Sequence, residues 1–146
     1  MNIRRAVPSD REALAEFNAN TARETEGIEL IPAVVSAGVD AMINNPQMGF
    51  YLVVEDGGAI QASLMVTTEW SDWRNGLFWW IQSVYVTTAY RRQGLYRKLY
   101  SALKAWPKTK SMSVVSGFML STRIMPRKKL TGHSVWMRPG TRCTKN

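Results

Sequence analysis

The stretch that decides the fold is Val84-Tyr85-Val86-Thr87-Thr88-Ala89-Tyr90-Arg91-Arg92-Gln93-Gly94-Leu95-Tyr96. It closes an aromatic-rich strand, Leu77–Val86, that is apolar on both faces, as expected of a central strand covered on both sides. A basic loop with a glycine follows, and helical periodicity begins at once, with Leu95, Leu99, Leu103 and Trp106 on one stripe. Pro107 stops that helix. Amides at a helix start point outward and carry partial positive charge, so a strand, a glycine loop and a helix in this order make an anion site. Arg91 and Arg92 add full charges, and Gly94 lets the backbone come close to a ligand. The loop has neither the G-x-x-x-x-G-K nor the G-x-G-x-x-G spacing.

Outward from this segment, the pattern is legible in both directions. Asn2–Ala6 reads as a short strand. Ser9 and Glu12 have capping-box spacing before a helix that carries Leu14 and Phe17 and runs to about Glu26, with Gly27 at its end. A second helix follows Pro32, with Val35, Val39, Met42 and Ile43 on one face, and Asn44-Asn45-Pro46 ends it. Phe50–Glu55 and Ala59–Glu69 are strands joined by Asp56-Gly57, a strong hairpin signal. Trp70–Asn75 reads as a polar loop. In Leu77–Val86, strict alternation puts Phe78, Trp80, Gln82, Val84 and Val86 on one face, and Leu77, Trp79, Ile81, Ser83 and Tyr85 on the other. Val114–Phe118 reads as a last strand. The order β-α-α-β-β-β-α-β defines an α/β domain over residues 1–118, a central mixed sheet flanked by helices.

Charge divides the chain unevenly. Its 146 residues carry 19 Lys+Arg and 11 Asp+Glu, net +8. Residues 1–118 hold 12 basic and 11 acidic side chains, a balance of +1; residues 119–146 hold 7 basic and none acidic. Residues 73–146 as a whole carry 15 basic and no acidic side chains, and that basic half raises a nucleic-acid-binding module as an alternative. The tail lacks the aromatic interleaving of a stacking surface, and no helix-turn-helix or zinc pattern occurs, so nucleic acid is not the expected partner. No apolar run approaches a membrane span, and MNIRRAVPSD has no apolar stretch of a signal peptide, so a cytoplasmic location is expected. One cysteine, Cys143, and one histidine, His133, exclude a disulfide framework and a Cys- or His-based metal cluster.

The decisive segment resembles the acetyl-CoA-binding motif of the GNAT-type N-acetyltransferases: strand, R/Q-x-x-G-x-G/A, helix. Arg91-Arg92-Gln93-Gly94-Leu95-Tyr96 matches at Arg91 and Gly94 and departs at Tyr96, where a small residue is usual. The resemblance extends over residues 1–118 through the order of elements. It implies a GNAT-like sheet and transfer of an acetyl group from acetyl-CoA to a primary amine of a small molecule or peptide, without a metal. Acetyl-CoA would lie along Val84, Tyr85 and Val86, with its pyrophosphate at Arg91, Arg92, Gln93, Gly94, Leu95 and Tyr96. The strand there would splay from its neighbour. Members often use a carboxylate on this strand as general base. Here the strand has Gln82 and Ser83 instead, so Glu69 and Asp72 in the preceding segment are the catalytic candidates, and Trp70 and Trp73 the candidates for the acceptor pocket.

Residues 119–146 break with the resemblance. The family continues with an Asn-Ala pair, a helix containing a Tyr that protonates the leaving thiolate, and Leu-Gly-Phe or Leu-Gly-Met. None of this occurs here. Regrouping synonymous codons for Met119 onward by one nucleotide gives (Y)AEHADNAPQKTYRALGMDETRYTMYEE, which restores each of these features in order. The tail therefore reads as a shifted frame. The expected consequences are a weakly active or inactive chain, or a CoA-binding remnant, and an exposed edge at Val114–Phe118 that invites a homodimer.

Overall fold

The computed structural model describes residues 1–106 and 115–118. Five strands form one sheet in sequence order: β1 (Asn2–Arg5), β2 (Gly49–Asp56), β3 (Ala59–Ser71), β4 (Gly76–Val86) and β5 (Val115–Phe118). The pairs β1/β2, β2/β3 and β3/β4 are antiparallel, and β4/β5 is parallel, so the sheet is mixed as the sequence predicts. Helices α1 (Arg11–Glu26) and α2 (Pro32–Asn44) connect β1 to β2, and α3 (Leu95–Ala105) connects β4 to β5. The expectations for residues 119–146 lie outside the described residues.

The sheet is buried on both faces because each face receives its own helices. On one side Leu95, Leu99 and Leu103 of α3 pack on Leu52, Val54, Leu64, Val66, Trp79 and Ile81. Leu99 is fully buried, so truncating it to alanine would cost about 2–5 kcal/mol. On the other side Leu14 and Phe17 of α1 and Val39 and Met42 of α2 pack on Tyr51, Val53, Ile60 and Tyr85. Every residue from Gly49 to Val54 is buried, as a central strand between two helical layers must be.

Local chemistry sets the boundaries. Pro32 opens α2, and Gly27 closes α1 in the left-handed conformation, with the Ile28 amide donating to the Ala22 carbonyl at 3.3 Å. The capping box expected of Ser9 and Glu12 is replaced. A one-turn 3-10 segment, Pro8–Asp10, begins earlier, and the Val7 amide donates to Asp10 Oδ2 at 2.8 Å. Asp10 is otherwise held by Arg4, at 2.6 and 3.0 Å. Proline pre-sets the turn ahead of Glu12, so the back-bond closes on Asp10. The segment expected as a loop after Glu69 is also partly strand: β3 continues to Ser71, and a 3-10 turn over Asp72–Arg74 completes the hairpin.

The faces of β4 are the main correction. Trp79 and Ile81 face α3, yet Tyr85 faces α1 and α2, while Val84 and Val86 face α3. Strict alternation had placed Trp79, Ile81 and Tyr85 together. The cause is a bulge: Ser63 pairs with Tyr85 and Met65 with Gln82, so three steps on β4 oppose two on β3. Ser83 supplies the extra residue in a left-handed conformation, φ 46. One inserted residue exchanges the faces of everything after it.

Candidate active site

The bulge lies just beyond the described pairing of β4 with β5. The parallel pairing with β5 runs from Phe78↔Val115 to Ile81↔Phe118. From Gln82 to Val86 no pairing on the β5 side occurs among the described residues. The chain enters the loop directly after Val86. Val84 and Val86 are partly buried against the α3-side core. Tyr85 is buried and packs at a tilt against Phe17, with ring centroids 4.7 Å apart, so its side chain serves the core.

The loop has the backbone of an anion cradle. Arg92 and Gly94 are both left-handed, at φ 61 and 78, and Gly94 is the N-cap of α3. Alternating backbone handedness at a helix start turns successive amides toward one point. A Cβ built at Gly94 would meet nothing within 4 Å, so the approach to the backbone there is open. The Gln93 side chain donates to the Ala89 carbonyl at 2.7 Å and fixes the loop from within. Leu95 is buried, while Tyr96 is half-exposed and stacks on Tyr100 at 6.2 Å. Burial raises the Tyr96 phenol above its ordinary value, so it is neutral at physiological pH.

Arg91 differs from the sequence expectation of an anion-binding side chain. Its guanidinium donates to both carboxylate oxygens of Glu24 in α1, at 2.8 and 2.9 Å, and its Nε donates to the Val86 carbonyl at 3.0 Å. It also lies over the Tyr85 ring, 5.5 Å from the centroid. The fork geometry of arginine suits this bidentate tie. Arg92 makes no comparable contact among the described residues and remains exposed.

The catalytic and acceptor candidates lie elsewhere. Glu69 accepts a hydrogen bond from Trp80 Nε1 at 2.7 Å, and Asp72 accepts one from the Trp73 amide at 2.8 Å. Both carboxylates therefore serve the β3–β4 hairpin tip. Trp70 and Trp73 are 56% and 90% exposed at that tip. None of the four lines the cleft described next.

That cleft, about 470 Å³, lies between α1, α2 and the sheet. Its floor is Tyr51, Met65 and Ser83, one residue from each of β2, β3 and β4. Ser83, the bulge residue, thus lines the cleft. Asn18, Thr21, Thr25 and Glu26 of α1 line one wall, and Val35, Val39 and Met42 of α2 line the other. Asn18 Nδ2 donates to the Tyr51 hydroxyl at 3.1 Å. Burial raises the Tyr51 phenol, only partly opposed by Asn18, so Tyr51 keeps its proton and can donate into the cleft. These residues were not singled out from the sequence. The signal was there: Asn18, Thr21, Ala22, Thr25 and Glu26 recur at three- and four-residue spacing, a mildly polar stripe on a helix that also has a core face. Among the described residues no group of three or more His, Cys, Asp or Glu could hold a metal, and no helix is long and apolar enough to cross a membrane.

Residues 13–122 match the model of the acetyltransferase (GNAT) family. The chain belongs to the GNAT family. The fold of this acetyltransferase domain is shared with solved structures. A possible acetyltransferase from Clostridium difficile 630 is 33% identical, with a TM-score of 0.77 over 92% of this chain and 97% of that one. A predicted acetyltransferase from Clostridium acetobutylicum, solved with acetyl-CoA, is 18% identical, with a TM-score of 0.67 over 83% and 81% of the two chains. An aminoglycoside acetyltransferase from an uncultured soil metagenomic sample, in complex with sisomicin, is 13% identical, with a TM-score of 0.65 over 94% and 95%. No curated protein sequence matches this GNAT chain at a significant level.

Proposed function

We propose that this chain is built to transfer an acetyl group from acetyl-CoA to a primary amine of a small molecule or peptide. The observation that carries the reading is the continuity of two features along one strand and its loop: the bulge at Ser83, and the left-handed Arg92 and Gly94 at the start of α3. An elongated ligand with a polar-amide arm and a pyrophosphate fits this path. Backbone groups of Val84–Val86 would hold the arm, and amides from Arg92 to Tyr96 the pyrophosphate. Arg91 acts through Glu24 and the Val86 carbonyl, positioning the loop.

Acetyl-CoA supplies an activated thioester: the amine nitrogen bonds to its carbonyl carbon, the carbon–sulfur bond breaks, and the thiolate and amine proton leave. The protein's part is to bring the amine to Ser83 from the cleft side and to hold the thioester on the β4 side. Holding two reactants in line contributes several kcal/mol to the rate, roughly 7–11 at best. Tyr51 offers a hydrogen-bond donor at the cleft floor.

We further read residues 119–146 as translated out of frame, which removes the Tyr that the resemblance assigns to thiolate protonation. The coding DNA across codons 115–125 decides this: codons that do not regroup into the string given above would end the idea. Two measurements test the function. Acetyl-CoA should raise the melting temperature of the chain in a concentration-dependent way. A CoA-release assay over a panel of amines should show weak turnover at most. The absence of any acetyl-CoA stabilisation would overturn the binding path, and robust turnover would overturn the reading of the tail.

A further inference from the structure

The cleft between α1 and α2 carries information about the acceptor, an inference that rests on the acetyltransferase reading above. Three carboxylates cluster at the end of α1 and the start of the connection to α2: Glu24, Glu26 and Glu29. Glu24 is bound by Arg91, and Glu29 by Arg23 at 2.6 and 3.1 Å. Glu26 has no ion pair or hydrogen bond among the described residues, and it alone of the three lines the cleft. Among the described residues it is also the only acidic one in the lining.

The other surfaces of the cleft are of two kinds. The hydroxyls of Thr21 and Thr25 donate to the carbonyls of Phe17 and Thr21, at 2.8 and 2.7 Å, so toward the cleft they can only accept. An accepting wall suits a ligand rich in N–H donors. Much of the remainder is apolar, including Leu30, Val35, Val39 and Met42. Ile28, Ile31 and Val34, next to Leu30 and Val35 in the chain, are 48%, 68% and 64% exposed. The volume falls in the lower half of the range for small-molecule sites.

We infer that the cleft selects a small amine with one amino group and a compact apolar body: exposed Glu26 captures it as the ammonium, and the amine gives up that proton to solvent before its nitrogen reaches the thioester at Ser83. A polycationic acceptor would bring several charges to a site with one carboxylate and apolar walls, and the surplus ammonium groups would lose hydration without a partner.

The test is equilibrium binding by calorimetry to the full chain, with hexylamine, hexanol and spermidine as probes, alone and with acetyl-CoA present. Hexylamine should bind about fivefold more tightly than hexanol, the scale of one partly solvated ion pair, and at least as tightly as spermidine. Glu26→Gln should erase the advantage of hexylamine over hexanol while leaving hexanol binding unchanged. Glu26 is exposed, so this variant keeps the fold, and an unchanged melting temperature checks that. Preference for spermidine, equal affinity for hexylamine and hexanol, or an advantage that survives Glu26→Gln would each overturn the inference. Stabilisation by acetyl-CoA with any of those three results would leave the transferase reading standing. Selective hexylamine binding without acetyl-CoA stabilisation would do the reverse.

Discussion

Arg91 and Glu24 are 67 positions apart in the chain, and both guanidinium–carboxylate contacts between them are under 3 Å. The pair ties the loop that leads into α3 to the last turns of α1, the helix that walls the cleft. Donation to the Glu24 carboxylate raises the Arg91 guanidinium further above its already high value, so it is charged at every accessible pH. Both side chains are more than a third exposed, so solvent screens the pair and its net contribution stays below about 1 kcal/mol.

Arg91 has further contacts that Glu24 lacks. Glu24→Gln should therefore cost no more than about 0.5 kcal/mol. Arg91→Ala should cost roughly 1–2 kcal/mol, because it also removes the bond to the Val86 carbonyl and the contact over Tyr85. Urea denaturation of both variants at low and high salt measures this. Equal losses would show that the carboxylate is the only partner that matters.

Two glycines should respond to alanine for different reasons. At Gly49 a Cβ would lie 1.9 Å from the Val66 carbonyl oxygen, a backbone atom of the paired strand that cannot turn aside. Gly49→Ala should destabilise by about 3 kcal/mol or more, or prevent folding. At Gly94 there is room, and only the left-handed conformation resists a side chain. Gly94→Ala should cost about 1–2 kcal/mol of stability, and it should weaken acetyl-CoA stabilisation beyond that. Thermal melts with and without acetyl-CoA separate the two effects.

Ser83 holds a left-handed conformation without being glycine. Ser83→Gly relieves that strain but adds freedom to the unfolded chain, so the two effects should cancel to within about 0.5 kcal/mol. Ser83→Val should cost more than about 1 kcal/mol, since a β-branched residue tolerates positive φ poorly. A valine variant as stable as the serine protein would argue against the bulge.

Acid should loosen the start of α1. Burial pushes the Asp10 carboxyl upward, but the Arg4 guanidinium and the Val7 amide together outweigh it, and the net position is below the ordinary 3.8. A depressed folded value means stability that is complete above the unfolded value and lost as pH falls through the folded one. Asp10→Asn should therefore cost most at neutral pH, and the gap between variant and parent should narrow as pH falls below about 4. Chemical denaturation across that range checks it, and a pH-independent gap would assign the loss to packing.

How much of this was legible beforehand follows from the range over which each signal acts. The helices α1, α2 and α3, the Asp56-Gly57 hairpin and the glycine loop are written in neighbouring residues: Pro32 and Gly27 act within one turn, and Leu95, Leu99 and Leu103 repeat at helical spacing. The order of those elements, with the loop at Arg91–Tyr96, was enough to bring the family into view. Alternation along β4 was also read from neighbours, and it failed at Ser83, because a bulge is decided by register against β3, which no local pattern carries.

The site divides the same way. By itself the sequence determined where a strand, a glycine and a helix start meet, the local backbone geometry that the proposed anion site needs. Only the tertiary structure decided that Arg91 is held by Glu24, that Glu69 and Asp72 serve the hairpin tip, and that Glu26 lines the cleft without a partner. Each of these depends on which distant groups packing brings within hydrogen-bond reach, and charged side chains look alike in sequence until that packing assigns their partners.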